Sequence, residues 1–155
     1  MQGVMLDTNV FNALVDNKIS RVALSNHRLV ATHVQIDELQ ATSDEDRRTR
    51  LKDLCFQIVE EFLLTSSAVW DVSRWDQAKW GDCIRYQRMF DRLVELDRKS
   101  GERIKPPNQE RDVLIAETAL CHDFMFASQD SNLITMILEE GGRVLSTTPP
   151  SPPNP

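Results

Sequence analysis

The sequence predicts an α/β domain built on a parallel sheet. Two features of the 155 residues carry this reading: short apolar runs alternate with helical patterns, and residues 1–105 hold no proline to break a helix. The composition agrees, with 41% apolar and 27% charged residues, as suits one globular domain. A chain of this size buries roughly 68–70% of its unfolded surface, so neither disulfides nor a structural metal is needed for a core. The apolar runs span only a few residues, as at Val4–Leu6 and Val113–Ala116. A membrane-spanning helix needs about 20.

The first element is a buried strand, Val4-Met5-Leu6, which runs into the polar Asp7-Thr8-Asn9. A helical pattern with Val10, Phe11 and Leu14 follows, then a second strand at Leu29-Val30-Ala31. Val34, Ile36 and Leu39 mark a helix over 33–41. Ser43-Asp44-Glu45-Asp46 supplies a cap and an acidic first turn for a helix expected to reach Leu64. Val69-Trp70-Asp71-Val72 is either a strand or an irregular link. A helix over 76–99, bent near Gly81, is expected to end at Ser100-Gly101. Beyond Pro106-Pro107, Asn108 is the expected cap of a helix through Cys121. Phe124–Ala127 reads as a buried strand, residues 132–139 as a helix ended by Gly141-Gly142, and Val144-Leu145 as a last strand. The other five prolines fall within 149–155, so 1–147 is expected to form the domain and 148–155 an extended tail.

In a parallel sheet, function lies beyond the carboxyl ends of the strands. Asp7 and Asp130 both follow apolar strands there, although Asp also caps helices and fills turns for purely structural reasons. Asp112 sits on a helix whose own face, through Ile115, Ala116 and Ala119, is apolar and points inward. A carboxylate on a buried face is costly unless paired or bound to metal. Glu117, about 140° round the same helix, reads as solvated. Glu38 lies among Val34, Ile36 and Leu39, with Asp37 competing for the inward direction. Together these acids point to a ring of carboxylates.

Four segments carry a resemblance: Met5-Leu6-Asp7-Thr8-Asn9-Val10, Ile36-Asp37-Glu38-Leu39-Gln40-Ala41, Arg111-Asp112-Val113-Leu114-Ile115-Ala116-Glu117-Thr118-Ala119 and Ala127-Ser128-Gln129-Asp130. In order and spacing they resemble the signatures of PIN-domain ribonucleases, most closely the toxin half of bacterial toxin–antitoxin pairs of the VapBC type. The resemblance implies a three-layer α/β/α fold with a central parallel sheet of about four or five strands. It implies Asp7, Glu38, Asp112 and Asp130 as the catalytic, metal-holding acids, supported by Thr8, Asn9 and Ser128. It also implies one or two Mg²⁺ or Mn²⁺ ions, an RNA substrate, a cognate antitoxin reaching across the acidic pocket, and a homodimer. The pattern departs at Leu133, where an aromatic is frequent, and at Asn132, where further acids occur. The segment from about Ser66 to Lys105 is longer than in compact toxins.

Hard oxygen donors suit Mg²⁺ or Mn²⁺, and few His or Cys lie near these segments to favour zinc. The net charge of −6 excludes a protein that coats nucleic acid by bulk electrostatics, so a local source of positive charge is needed. Arg85, Arg88 and Arg92 open a stretch to Lys105 with seven basic and four acidic residues, read either as a solvated helix face or as an RNA contact. His33 and His122 read as surface or cap residues, and Trp70, Trp75 and Trp80 as packing residues or base-stacking platforms. Three cysteines without CxxC spacing and an N-terminus without a basic, apolar leader lead to an expectation of reduced thiols in the cytoplasm. No phosphate-binding glycine motif and no nucleophile elbow is present. Asn9 stands where a dehalogenase-type phosphatase needs a second Asp. The alternatives to a toxin are a housekeeping RNA-processing nuclease and a PIN-like scaffold that binds without cutting.

Overall fold

The first strand sits at the centre of the molecule because it is apolar on both faces: Val4, Met5 and Leu6 are all fully buried. In the computed structural model, which describes residues 1–69 and 83–147, β1 (Gly3–Leu6) pairs in parallel with β2 (Arg28–Thr32) on one side and β4 (Met125–Ala127) on the other. β3 (Glu61–Leu63) and β5 (Arg143–Val144) form the two edges, giving a five-stranded sheet in the order β3-β2-β1-β4-β5, parallel throughout. The expected parallel α/β architecture is present.

Helices cover both faces, so two core clusters form. One joins Val4 and Leu6 to α1 (Thr8–Val15) and α3 (Glu45–Ile58) through Phe11, Leu14, Leu51 and Leu54. The other joins Met5, Val30 and Phe126 to α4 (Cys83–Lys99), α5 (Pro106–Cys121) and α6 (Ser131–Glu139) through Met89, Leu93, Leu114, Ile115 and Leu133. The strand's period of two divides the clusters: Val4 and Leu6 face one layer, Met5 the other. The short α2 (His33–Gln40) contributes Val34 to one cluster and Leu39 to the other.

Several boundaries differ from the sequence expectation. α3 stops at Ile58 and not at Leu64, and residues 61–63 form the edge strand β3. Val59 caps α3 in extended geometry, and Glu60 then donates its backbone N–H to the Leu29 carbonyl, turning the chain into the sheet. α5 starts at Pro106, with Lys105 at the cap and no side-chain cap bond; proline is tolerated at the first helical positions because those N–H groups lack helical partners. Asn108 therefore lies inside the helix instead of capping it. α4 ends as expected, at Gly101 in the left-handed region (φ 75°). Among the other helices, Asp44 caps α3 by accepting from the Arg47 N–H at 2.7 Å. Cys55 is buried and Cys121 exposed, neither in a disulfide. Trp70, Trp75, Trp80, the start of the 76–99 helix and the tail 148–155 lie outside the described residues. Among those described, no helix is long and apolar enough to cross a membrane.

Candidate active site

The register of the central strands builds the site. Leu6 is level with Ala127, so Asp7 and Ser128 leave adjacent strands side by side. The Ser128 hydroxyl donates to the Asp7 carboxylate at 2.7 Å, and Asp7 also accepts from the Thr8 N–H at 2.8 Å as the cap of α1. Asn9, in the first turn of α1, donates its amide to Ser128 Oγ at 3.2 Å and accepts from the Gln129 N–H at 2.9 Å. Ser128 Oγ further accepts from the Asp130 N–H at 3.0 Å, and Asp130 caps α6 through the N–H groups of Asn132 and Leu133. Thr8 donates its hydroxyl to Glu38 on α2. Asp112 approaches from α5. The acids and their neighbours line one cavity of about 400 Å³, together with Asn12, Asp37, Asn108 and Arg111.

Gln35, which sequence reasoning passed over, holds the edge of this cavity. Its amide donates to the Leu6 carbonyl at 2.8 Å, one residue before Asp7, while its own carbonyl oxygen accepts from the Thr32 N–H at 2.9 Å. The second bond closes the capping box of α2, the helix that carries Glu38, so one buried side chain links the positions of both acids.

Burial and mutual repulsion set the electrostatics. Asp7 is 3% exposed, and its pKa is pushed up to about 7, chiefly by burial and also by Glu38, against the lowering effect of Ser128. Burial raises Glu38 too, while its bond from Thr8 and the charge of Arg111 oppose the shift. Asp112 is held well above the ordinary carboxylate range, first by burial and then by Asp7, Glu38 and Asp130. Carboxylates crowded in this way call for an outside positive charge.

Neither a protein-family model nor a curated relative matches the chain by sequence. Solved structures do match in three dimensions. The DNA-bound VapBC of Salmonella typhimurium superposes over 93% of this chain and 97% of its own, with a TM-score of 0.52 at 15% identity. VapBC2 of Rickettsia felis, bound to a promoter DNA fragment, covers 86% and 92% with a TM-score of 0.50 at 13% identity. VapBC-1 of nontypeable Haemophilus influenzae covers 88% and 93% with a TM-score of 0.50 at 18% identity. This chain has the VapC-like PIN fold. At these identities the likeness is one of fold, and the chemistry of the site rests on its own residues.

On this PIN scaffold, Asp7, Glu38, Asp112 and Asp130 come from four separate elements to one cavity, with Thr8, Asn9 and Ser128 bonded among them. Asp7 and Asp130 are also helix caps, so each has a structural role at the wall of the cavity. Asp37 shares the cavity with Glu38 instead of competing with it. Two expectations are corrected. Glu117 is 2% exposed, not solvated, and accepts from the Ser67 hydroxyl at 2.9 Å. His33 is buried at the first position of α2, whereas His122 caps α5 as expected. Arg85, Arg88 and Arg92 do not line the cavity. Arg88 forms a two-pronged pair with Glu140 at 2.9 and 2.6 Å, and Arg92 with Glu139 at 2.8 Å on both prongs. Arg85 stands 4.0 Å from Glu140.

The donor set fits a hard divalent cation, being made of carboxylate and amide oxygens with hydroxyls bracing the carboxylates. Among the described residues, no three Asp, Glu, His or Cys side chains stand close enough to ligate one ion without help.

Proposed function

We propose that this chain is a metal-dependent endoribonuclease and the toxin of a toxin–antitoxin pair. The observation that carries the proposal is the convergence of Asp7, Glu38, Asp112 and Asp130 on one cavity where burial and repulsion raise the pKa of Asp7, Glu38 and Asp112. A charge-frustrated cluster costs stability, and a cation site is the chemistry that repays it.

When bound, Mg²⁺ or Mn²⁺ lowers the pKa of water and neutralises charge on phosphate. Asp7, Glu38, Asp112 and Asp130 are the residues that would hold it. Ser128 and Thr8 fix the carboxylates of Asp7 and Glu38 through donated hydroxyl bonds, so those groups do not have to reorganise as charge develops. Asn9 sets the Ser128 hydroxyl in turn, since it donates to Ser128 Oγ and leaves the hydroxyl proton for Asp7. The reaction is hydrolysis, in which water attacks phosphorus in line and the 3′ oxygen departs, with no covalent enzyme intermediate. The three solved structures named above are of VapBC, which supports an antitoxin as the protein partner.

Incubation of purified protein with a labelled structured RNA tests the proposal. Cleavage is expected with Mn²⁺ or Mg²⁺, none with EDTA, and a loss of at least about a hundredfold in Asp112→Asn, a change that removes a charge from the metal site. Inactivity of the wild type together with no binding of Mn²⁺ by calorimetry would sink the enzyme reading and leave a PIN-like scaffold. Induced expression tests the biological role: growth arrest by the wild type, spared in Asp112→Asn, is the result expected of a toxin.

A further inference from the structure

A cavity walled by acids repels the polyanion that the proposed reaction needs, so the positive charge on its wall is informative. Among the described residues lining the cavity, Arg111 is the only cation. Most other arginines near the layer surfaces are committed. Arg47 grips Asp16 at 2.7 and 3.1 Å and donates to Asn12 at 2.9 Å. Arg88 and Arg92 are bound to Glu140 and Glu139. Arg111 has no hydrogen-bond or ion-pair partner among the described residues, and its charge reaches Glu38 from beyond bonding distance. It is half-buried and precedes Asp112 on α5. Successive helical residues diverge by about 100°, so Arg111 stands beside the acids and not among them.

A planar guanidinium with its donors uncommitted is shaped for a phosphate, which it meets with two parallel hydrogen bonds. We propose that Arg111 binds an RNA backbone phosphate next to the one being cut, holding the strand against the acidic wall. The inference rests on the endoribonuclease reading. It assigns the RNA contact to α5, at the site itself, in place of the Arg85–Arg92 face of α4. Because the contact is to a neighbouring phosphate, its energy appears in binding and not in the chemical step.

Steady-state cleavage of a labelled RNA in Mn²⁺, at several salt concentrations, tests this with wild type, Arg111→Gln and Arg111→Lys, alongside calorimetry with Mn²⁺ alone. Arg111→Gln is expected to raise KM about tenfold with kcat within about twofold, as befits loss of one charged hydrogen-bonded contact. The slope of log affinity against log salt should become shallower by about 0.7, the share of one single-strand phosphate contact. Arg111→Lys should keep that slope, since it keeps the charge, and regain part of the KM. Mn²⁺ affinity should not fall, because Arg111 is not one of the groups that would hold the ion. An unchanged KM and salt slope in Arg111→Gln, with an active wild type, overturns the assignment and leaves the nuclease reading intact. A shift in Mn²⁺ affinity without a change in salt slope also overturns it, because Arg111 would then serve only to offset Glu38. A wild type that cuts no RNA removes the nuclease reading and this inference with it.

Discussion

The two ends of α6 treat charge in opposite ways. Its first turn is capped by Asp130, on the wall of a cavity that also holds Asp7, Glu38 and Asp112. About 13 Å away, one helix length, Glu139 and Glu140 each receive an arginine from α4. The distal end is matched within the chain, its arginines linking α4 to the end of α6 at the surface. The proximal end is left with unmatched negative charge, which folding alone would not favour. In this chain the unpaired charge, and not the local density of charged residues, coincides with the proposed site: the basic stretch from Arg85 is largely spent on Glu139, Glu140 and Glu95.

Between the two ends lies a polar junction that belongs to neither. Asp97 on α4 is 4% exposed and accepts from Gln109 on α5 and from Asn132 on α6, both at 2.9 Å. It ties together the helices that carry Asp112 and Asp130. Asp97→Leu leaves the Gln109 amide buried without its acceptor and the Asn132 amide with Ser100 alone, and should cost about 2–3 kcal/mol, at about 1–3 kcal/mol per orphaned group. Urea unfolding measures this. A loss below about 1 kcal/mol would show that the junction is dispensable and that the packing of Met89, Leu93 and Leu133 alone holds the layer.

The proximal end makes a pH signature that sharpens the comparison. Asp7 loses its proton near its ordinary value of 3.8 in the unfolded chain but near 7 in the folded one. Between those values the folded state binds more protons, so its stability falls as pH rises and stays lower above about 7. Metal-free protein should therefore melt at a higher temperature at pH 5 than at pH 8, by about 1–3 kcal/mol in stability. Paired acids such as Glu140 add nothing in this window, because their pKa values are lowered and the stability they lend is lost only at more acid pH. Saturating Mn²⁺ at pH 8 should close the gap, as should Asp7→Asn without metal. A flat profile from pH 5 to 8 in metal-free protein would break the distinction between the two ends.

The smallest effect is expected at the distal end. Arg92→Ala removes an exposed pair with Glu139 and Glu95, and such pairs contribute little in water. Melting temperature, metal affinity and RNA cleavage should stay close to wild type. A fall in RNA affinity of the size expected for Arg111→Gln would move the RNA contact back to the α4 face.

How much of this was written in the sequence depends on how local the signal is. Val4–Leu6 running into Asp7 announces a central strand and the acid at its end, since burial on both faces needs an unbroken apolar run and the polar residue can stand only beyond it. Asp112 on an apolar helix face and Asp130 after Phe126-Ala127 are legible for the same reason. β3 was hidden because an edge strand needs no apolar pattern: Glu61 and Phe62 are exposed, and only pairing with β2 makes them a strand. The burial of Glu117 is not legible because helical periodicity describes one buried face, whereas α5 is covered by the sheet on one side and by Ser66 and Ser67 on another, burying Val113 to Ala119 without a gap. The layers, the central strand and the acids at its carboxyl edge are written in the sequence, because each follows from the period of a single element. Which arginines are spent, how Asp97 and Gln35 brace the acidic cavity and that Arg111 faces it uncommitted emerge on folding, because pairing between side chains far apart in sequence has no period to read.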